Sequence, residues 1–279
     1  MTIIKNIILN GKYDKPILTD IFYTKNNSEK PIVIFCHGYK GFKDWGTWDL
    51  MAEAFAKAGF FFIKFNFSHN GGTIKQPIDF PDLVAFGNNN YTMELDDLEI
   101  VIDWIYHSSE FKNEADNSEI SLIGHSRGGG IVTIKAEENN RINKVVSLAG
   151  VSDYGNRDPI AGNTEQWKKD GVKYGINGRT KQQMPHYYQF YEDFIANEER
   201  LTIKRAVSNL KIPYLIIHGN ADTSVLIDEA KNLHSWNPNS KLEIIKDANH
   251  VFGASHPWEQ NKLPEHLKKV IELSLSFLE

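Results

Sequence analysis

Short, dense apolar runs recur along this chain between segments whose apolar residues repeat at helical spacing, and that alternation restricts the fold more than any other feature. The runs are Pro31–Cys36 (PIVIFC), Phe60–Phe67, Ile120–Ile123, Val145–Leu148, Tyr214–Ile217 and Leu242–Ile245. Between and after them lie the helical patterns: Trp48–Ala58, closed by Gly59; Leu95–Tyr106, apolar at 95, 98, 101, 102 and 105; Gly129–Ala136; Ile227–His234; and Leu263–Leu278. Strands this short and this uniformly apolar are buried on both faces, which requires a mostly parallel sheet flanked by helices. Two further strands, about 2–9 and 17–23, lie close together in sequence and are expected to pair antiparallel at one edge.

The rhythm breaks between Ala149 and Ile212, where no strong strand is apparent. The segment is aromatic and charged instead, with Trp167, Tyr174, Tyr187, Tyr188, Phe190, Tyr191 and Phe194. A structureless loop of that length is improbable in a compact domain. Residues 153–208 are therefore read as an inserted, mostly helical cap, with 1–152 and 209–279 forming the core domain. A chain of 279 residues is long enough for such a domain with a well-buried core.

Composition excludes several function classes. The net charge is −5, and the longest basic clusters, such as Lys168–Lys169 and Lys268–Lys269, are only pairs, so no nucleic-acid partner is expected. The single cysteine, Cys36, excludes an intrachain disulfide and a cysteine-based zinc site, and its place inside an apolar run predicts a buried thiol. No H-E-x-x-H and no Cys/His cluster is present, so neither a metal nor a cofactor is expected. No segment approaches the ~20 apolar residues of a membrane span. The N-terminal stretch, interrupted by Lys5 and Asn6, reads as a strand rather than a signal peptide, which favours a cytoplasmic location.

The strongest local signal is Gly124-His125-Ser126-Arg127-Gly128, a G-x-S-x-G string between the run Ile120–Ile123 and a helix opening at Gly129. Small flanking residues permit a sharp strand-to-helix turn, and such a turn exposes the Ser126 hydroxyl at the carboxyl edge of the sheet. It also leaves the Arg127 N–H near the helix N-terminus, where it could stabilise an oxyanion. A serine nucleophile needs a base, and the base needs an orienting acid. Asp222, in His218-Gly219-Asn220-Ala221-Asp222, follows the run Tyr214–Ile217, and His250, in Asp247-Ala248-Asn249-His250, follows Leu242–Ile245. Both stand at carboxyl ends of strands, where ligand sites of open α/β sheets gather. Asp153 is a rival acid and His256 a rival base; Asp247 is expected to serve its turn, and His125 and His218 to support loops or the core. His37-Gly38-Tyr39-Lys40-Gly41 follows the run ending at Cys36, and the Tyr39 N–H is the candidate second oxyanion donor.

In order along the chain, HGYKG, GHSRGG, HGNAD and DANH resemble the α/β-hydrolase superfamily over nearly its whole length. The pattern looks like bacterial esterases of the feruloyl and cinnamoyl type, and like uncharacterised bacterial hydrolases with an HGYKGFKDWG-like motif. The resemblance implies an α/β-hydrolase fold, a triad of Ser126, Asp222 and His250, and an oxyanion hole from the amides of Tyr39 and Arg127.

The leading function is hydrolysis of carboxylic esters, short acyl or aryl, through an acyl-enzyme. A small peptidase or amidase, or an acyl-thioesterase, could use the same triad. A non-catalytic binding protein of this fold would be expected to lack a triad member. Phe42 and Trp45 are expected beside the site, and Tyr187, Tyr188 and Tyr191 either line the pocket or form the cap's own core. The spread of Lys168, Lys169, Asp170, Lys173, Glu192 and Asp193 suggests a mostly neutral, apolar entrance.

Overall fold

In the computed structural model, which describes residues 1–279, the strands are β1 (Thr2–Asn10), β2 (Pro16–Tyr23), β3 (Lys30–Cys36), β4 (Phe61–Asn66), β5 (Ala115–His125), β6 (Ile142–Leu148), β7 (Val172–Ile176), β8 (Gln183–Tyr187), β9 (Tyr214–Gly219) and β10 (Lys241–Ile245). The helices are α1 (Trp48–Lys57), α2 (Leu83–Gly87), α3 (Tyr91–Tyr106), α4 (Arg127–Glu138), α5 (Thr164–Asp170), α6 (Gln189–Ala196), α7 (Glu198–Leu201), α8 (Ile203–Asn209), α9 (Ile227–Trp236) and α10 (Glu265–Leu278).

Eight strands form one sheet in the order β1-β2-β4-β3-β5-β6-β9-β10. The β1–β2 and β2–β4 pairs are antiparallel and every other pair is parallel. Successive side chains of a strand point to opposite faces, and here both faces are apolar. On β3, Ile32, Ile34 and Cys36 enter one core while Val33 and Phe35 enter the other. The first core is closed by Leu95, Leu98, Val101, Ile102 and Ile105 of α3, the second by Met51, Ala52 and Phe55 of α1 and Leu267, Val270 and Ile271 of α10. Helix α3 starts where the Asn90 side chain accepts the Met93 N–H at 2.8 Å, satisfying one of the orphan donors of the first turn. Gly59, at φ 95°, turns the chain out of α1 into β4.

Residues 153–208 hold helices α5 to α7 and most of α8, together with a hairpin that the aromatic count did not suggest. Strands β7 and β8 pair antiparallel, from Val172 opposite Tyr187 to Ile176 opposite Gln183. The alternation Val172-Lys173-Tyr174-Gly175-Ile176 carries the strand signal, but only over five residues. Tyr174 and Ile176 are exposed, so this hairpin has no continuous apolar face to mark it in sequence. It docks through Tyr187, whose ring lies so close to Gly87 of α2 that a side chain there would meet it at 2.7 Å.

An ionic cluster is buried where the loop after β3 meets the antiparallel edge. Lys43, Lys64 and Asp20 are each fully buried; Asp20 Oδ2 accepts from Lys43 Nζ at 2.8 Å and Lys64 Nζ at 2.9 Å. Asp44 accepts from both lysines, at 2.6 and 2.8 Å, and Asp49 pairs with Lys64 at 2.7 Å. Burial alone would raise the Asp44 carboxyl, but the two ammonium groups hold it well below the usual carboxylate range. The oxygens of Asp20, Asp44 and Asp49 converge closely enough to suggest a cation site, yet the two buried lysines already supply its positive charge. No helix is long and apolar enough to cross a membrane.

Candidate active site

Ser126 stands between β5 and α4 with φ 57° and ψ −119°, a conformation that a non-glycine residue adopts only under constraint. The turn is held on both sides: the Ser126 N–H donates to Leu148 O of β6 at 2.9 Å, and Ser126 O accepts from the Gly129 N–H at 2.9 Å. It also needs glycine. A side chain at Gly124 would approach Gly128 O to 2.1 Å, and one at Gly128 would approach Cys36 O to 2.5 Å. The loop after β3 crosses directly over this turn, since a side chain at Gly38 would meet Ser126 Cβ at 2.9 Å. The next amide, Tyr39 N–H, donates to no other backbone group, and Arg127 N–H is the first of α4, ahead of the helical ladder.

His250 Nδ1 and Asp222 Oδ2 lie 2.7 Å apart. The second Asp222 oxygen accepts the Ser224 and Val225 amides at 2.8 and 2.9 Å. Burial would raise this carboxyl, but hydrogen bonds from His218 and His250 and the Val225 amide hold it well below the usual range. His218 Nε2 donates to Val225 O at 2.8 Å, pinning the same loop from beneath. His125 Nε2 donates to His250 O at 2.8 Å, so both supporting histidines brace loops. The rivals are engaged elsewhere. Asp153 accepts the Gly155 N–H at 2.9 Å and the Asn156 side chain at 2.5 Å, closing its own loop. His256 accepts the Gly46 N–H at 2.9 Å and packs edge-on to Phe42.

Ser126 and His250 open into one cavity of about 870 Å³, which Tyr39, Tyr91, Arg127 and Tyr154 also line. Besides Arg127 and Asp153, its charged lining comes from residues the sequence did not single out: Arg157 and Asp158 after β6, and Glu229 of α9. The entrance expected to be apolar from the spread charges of residues 153–208 therefore combines apolar residues with charged ones. Arg157 pairs with Glu229, whose other oxygen accepts the Ser152 N–H at 2.7 Å. None of the five expected substrate contacts lines this cavity. Phe42 is fully buried with Phe80, Phe86 and Met184, because the glycine turns of its loop point it inward. Trp45 packs on Trp48 and His256. Tyr187 covers Gly87, and Tyr188 and Tyr191 pack against Trp167, with centroids at 5.7 and 6.2 Å. Tyr188→Ala is accordingly expected to cost about 2 kcal/mol of stability, the low end for a large apolar truncation because the residue is only partly buried, without changing the ratio of kcat/KM among ester substrates. Thermal melts and kinetics on that one variant check both halves.

His186 of β8 is a neighbour of the Tyr39 loop that the sequence left invisible. Its Nε2 accepts the Tyr39 hydroxyl at 2.7 Å, tying the β7–β8 hairpin to the loop over Ser126. The two residues are 147 positions apart, and no local pattern links them. Burial pushes the His186 and His125 imidazoles down to about 3 and that of His37 to about 4. Each stays neutral when folded but takes up a proton when unfolded, so each contributes stability that is complete above about 6.5 and lost as pH falls toward its folded value. Asp97, raised by burial to about 7, and Glu94, raised in the same way, act in the opposite sense. Three histidines outweigh two carboxylates, so stability should fall by about 1.4 kcal/mol or more per pH unit between pH 6 and 4.5. Urea unfolding across that range measures the slope; a flat or rising stability would show that these imidazoles are not kept neutral.

A family model described as the α/β hydrolase fold matches residues 31–177. The structure superposes on Est1E from Butyrivibrio proteoclasticus, solved with ferulic acid, with a TM-score of 0.72 at 17% identity, covering 98% of this chain and 97% of that one. It also superposes on a dienelactone hydrolase from Anabaena variabilis, with a TM-score of 0.64 at 17% identity, covering 99% and 96%. An Escherichia coli protein described as an uncharacterized 31.7 kDa protein in the traX-finO intergenic region is 28% identical over 146 residues, which span 52% of this chain and 46% of that protein. The match thus spans about half the length of the curated relatives. With an eight-stranded sheet in this order and a family match over more than half its residues, the chain belongs to the α/β-hydrolase fold family.

Proposed function

We propose that this chain is a serine hydrolase that cleaves carboxylic esters through an acyl-enzyme on Ser126. The observation that carries this reading is the 2.7 Å contact of Asp222 with His250 at the wall of the cavity that Ser126 also lines. Ser126 Oγ attacks the ester carbonyl while His250 Nε2 takes its proton. Asp222 accepts from His250 Nδ1–H, which fixes the tautomer and stabilises the imidazolium. The amides of Tyr39 and Arg127 receive the oxyanion; a donor of this kind is typically worth about 3 kcal/mol of barrier. The tetrahedral intermediate collapses as His250 returns the proton to the departing alcohol, leaving the acyl group on Ser126. Water, activated by His250 in turn, releases the acid and restores the hydroxyl.

Short acyl and aryl esters remain the substrates of first choice, in keeping with esterase and dienelactone hydrolase neighbours of the same fold. A panel of 4-nitrophenyl esters, methyl esters of aromatic acids, acyl-thioesters and aminoacyl amides tests the reading. Turnover of oxygen esters at least about a hundredfold above amides is expected, since the leaving alcohol needs less assistance than an amine. Preferred cleavage of amides would make the chain a peptidase, and preferred cleavage of thioesters a thioesterase.

A further inference from the structure

The Arg127 side chain is more than nine-tenths buried and lines the Ser126 cavity. Its guanidinium lies 4.2 Å from the Tyr39 ring centroid and 5.1 Å from that of Tyr91. These rings hold the plane in place, as aromatic faces hold cations. Its single hydrogen bond within the protein runs from Nη1 to Glu94 Oε1 at 3.2 Å. Glu94 could accept a two-point bridge, yet its other oxygen, Oε2, is buried without a partner. A guanidinium carries five donors, so most of this one remains unused beside the proposed nucleophile. These donors face the cavity, so a substrate that covers them without supplying an acceptor is penalised, which makes them strong discriminators.

The charge balance defines the acceptor. Glu94 cancels the charge of Arg127, Glu229 that of Arg157 and Lys173 that of Asp158, while Asp153 adds a further carboxylate to the cavity. A second anion would meet a neutral pair and surplus negative charge, whereas a carbonyl oxygen meets free donors. We propose that Arg127 is a specificity residue whose side chain donates to a neutral carbonyl oxygen in the acyl portion of the substrate, a few atoms from the scissile bond. This deepens the esterase reading and rests on it. The preferred substrates are then acylamino or keto acyl esters, rather than plain hydrocarbon acyl esters or anionic hemiesters.

Three 4-nitrophenyl esters of matched chain length test this: the N-acetylglycinate, the pentanoate and the hemiglutarate. Each kcat/KM is divided by the ester's hydroxide-catalysed rate to remove intrinsic reactivity. The wild-type protein should favour the N-acetylglycinate over the pentanoate, and the hemiglutarate least. In Arg127→Met the N-acetylglycinate/pentanoate ratio should fall roughly tenfold, and Arg127→Lys should recover part of it. The ratio is read within one protein, so a loss of folded or active enzyme cancels. An unchanged ratio in Arg127→Met overturns the proposal while leaving an esterase. A wild-type preference for the hemiglutarate that Arg127→Met abolishes also overturns it, in favour of a carboxylate ligand. Failure of the wild-type protein to cleave any of the three overturns the esterase reading itself.

Discussion

Ser126→Ala is expected to lower kcat/KM for the best ester substrate by roughly five to six orders of magnitude, and His250→Ala by a similar factor. The double variant should be no worse than either, because members of a triad act as a unit. The folded state should hardly notice the serine change. The strained turn is maintained by backbone bonds to Leu148 and Gly129 and by the glycines around it, and alanine meets the same backbone limits as serine at φ 57°. A melting temperature within about 2 °C of wild type is therefore expected, since surface-facing substitutions commonly stay within ±0.5 kcal/mol. A large fall in both activity and melting temperature would instead mark Ser126 as structural.

The largest effect on stability is expected at Asp20. Its carboxylate binds Lys43 and Lys64 and also accepts the Asn6 N–H at 2.8 Å, with all three charged side chains excluded from water. Asp20→Ala leaves two buried ammonium groups to share Asp44 and Asp49, which are themselves partly exposed. Removing one partner from a buried ionic cluster typically costs about 3–5 kcal/mol, because the remaining charge cannot be rehydrated. For a chain of this size that corresponds to a melting point about 10 °C lower. Because Lys43 belongs to the loop that crosses over Ser126, kcat/KM should fall as well, by a smaller factor. A loss under about 1 kcal/mol would place the cluster with solvated surface pairs, whose removal costs little.

The sheet was legible because its inner strands are buried on both faces. Ile32 to Cys36 has no polar residue to blur it, and the helical repeats of α3 and α10 bury one stripe each. The loops bearing Ser126 and Asp222 were legible for a related reason, as each follows such a strand within a few residues, while His250 follows the edge strand β10, whose short apolar run marked it despite its exposure. Their surroundings were not. Strand β7 exposes Tyr174 and Ile176, so a two-residue period over five residues was lost among aromatics. Phe42 and Trp45 adjoin Tyr39 in sequence, yet the tight turns at Gly38 and Gly41 send Phe42 into a core with Phe80 and Met184. The charged cavity wall joins Arg157 to Glu229, and the loop bearing Tyr39 leans on His186. Such pairs form between distant segments and depend on how residues 153–208 pack on the sheet's end, which periodicity does not encode.

Covalent labelling tests the central claim most directly. A fluorophosphonate reacts with a serine only when a base removes its proton and an oxyanion site receives the phosphoryl oxygen. The wild-type protein should take up one label, mapped by peptide mass spectrometry to Ser126. Ser126→Ala should take up none, and His250→Ala should react at least about a hundredfold more slowly, the low end for loss of a general base. A label on another residue, or an undiminished rate in His250→Ala, would contradict the assignment of nucleophile and base.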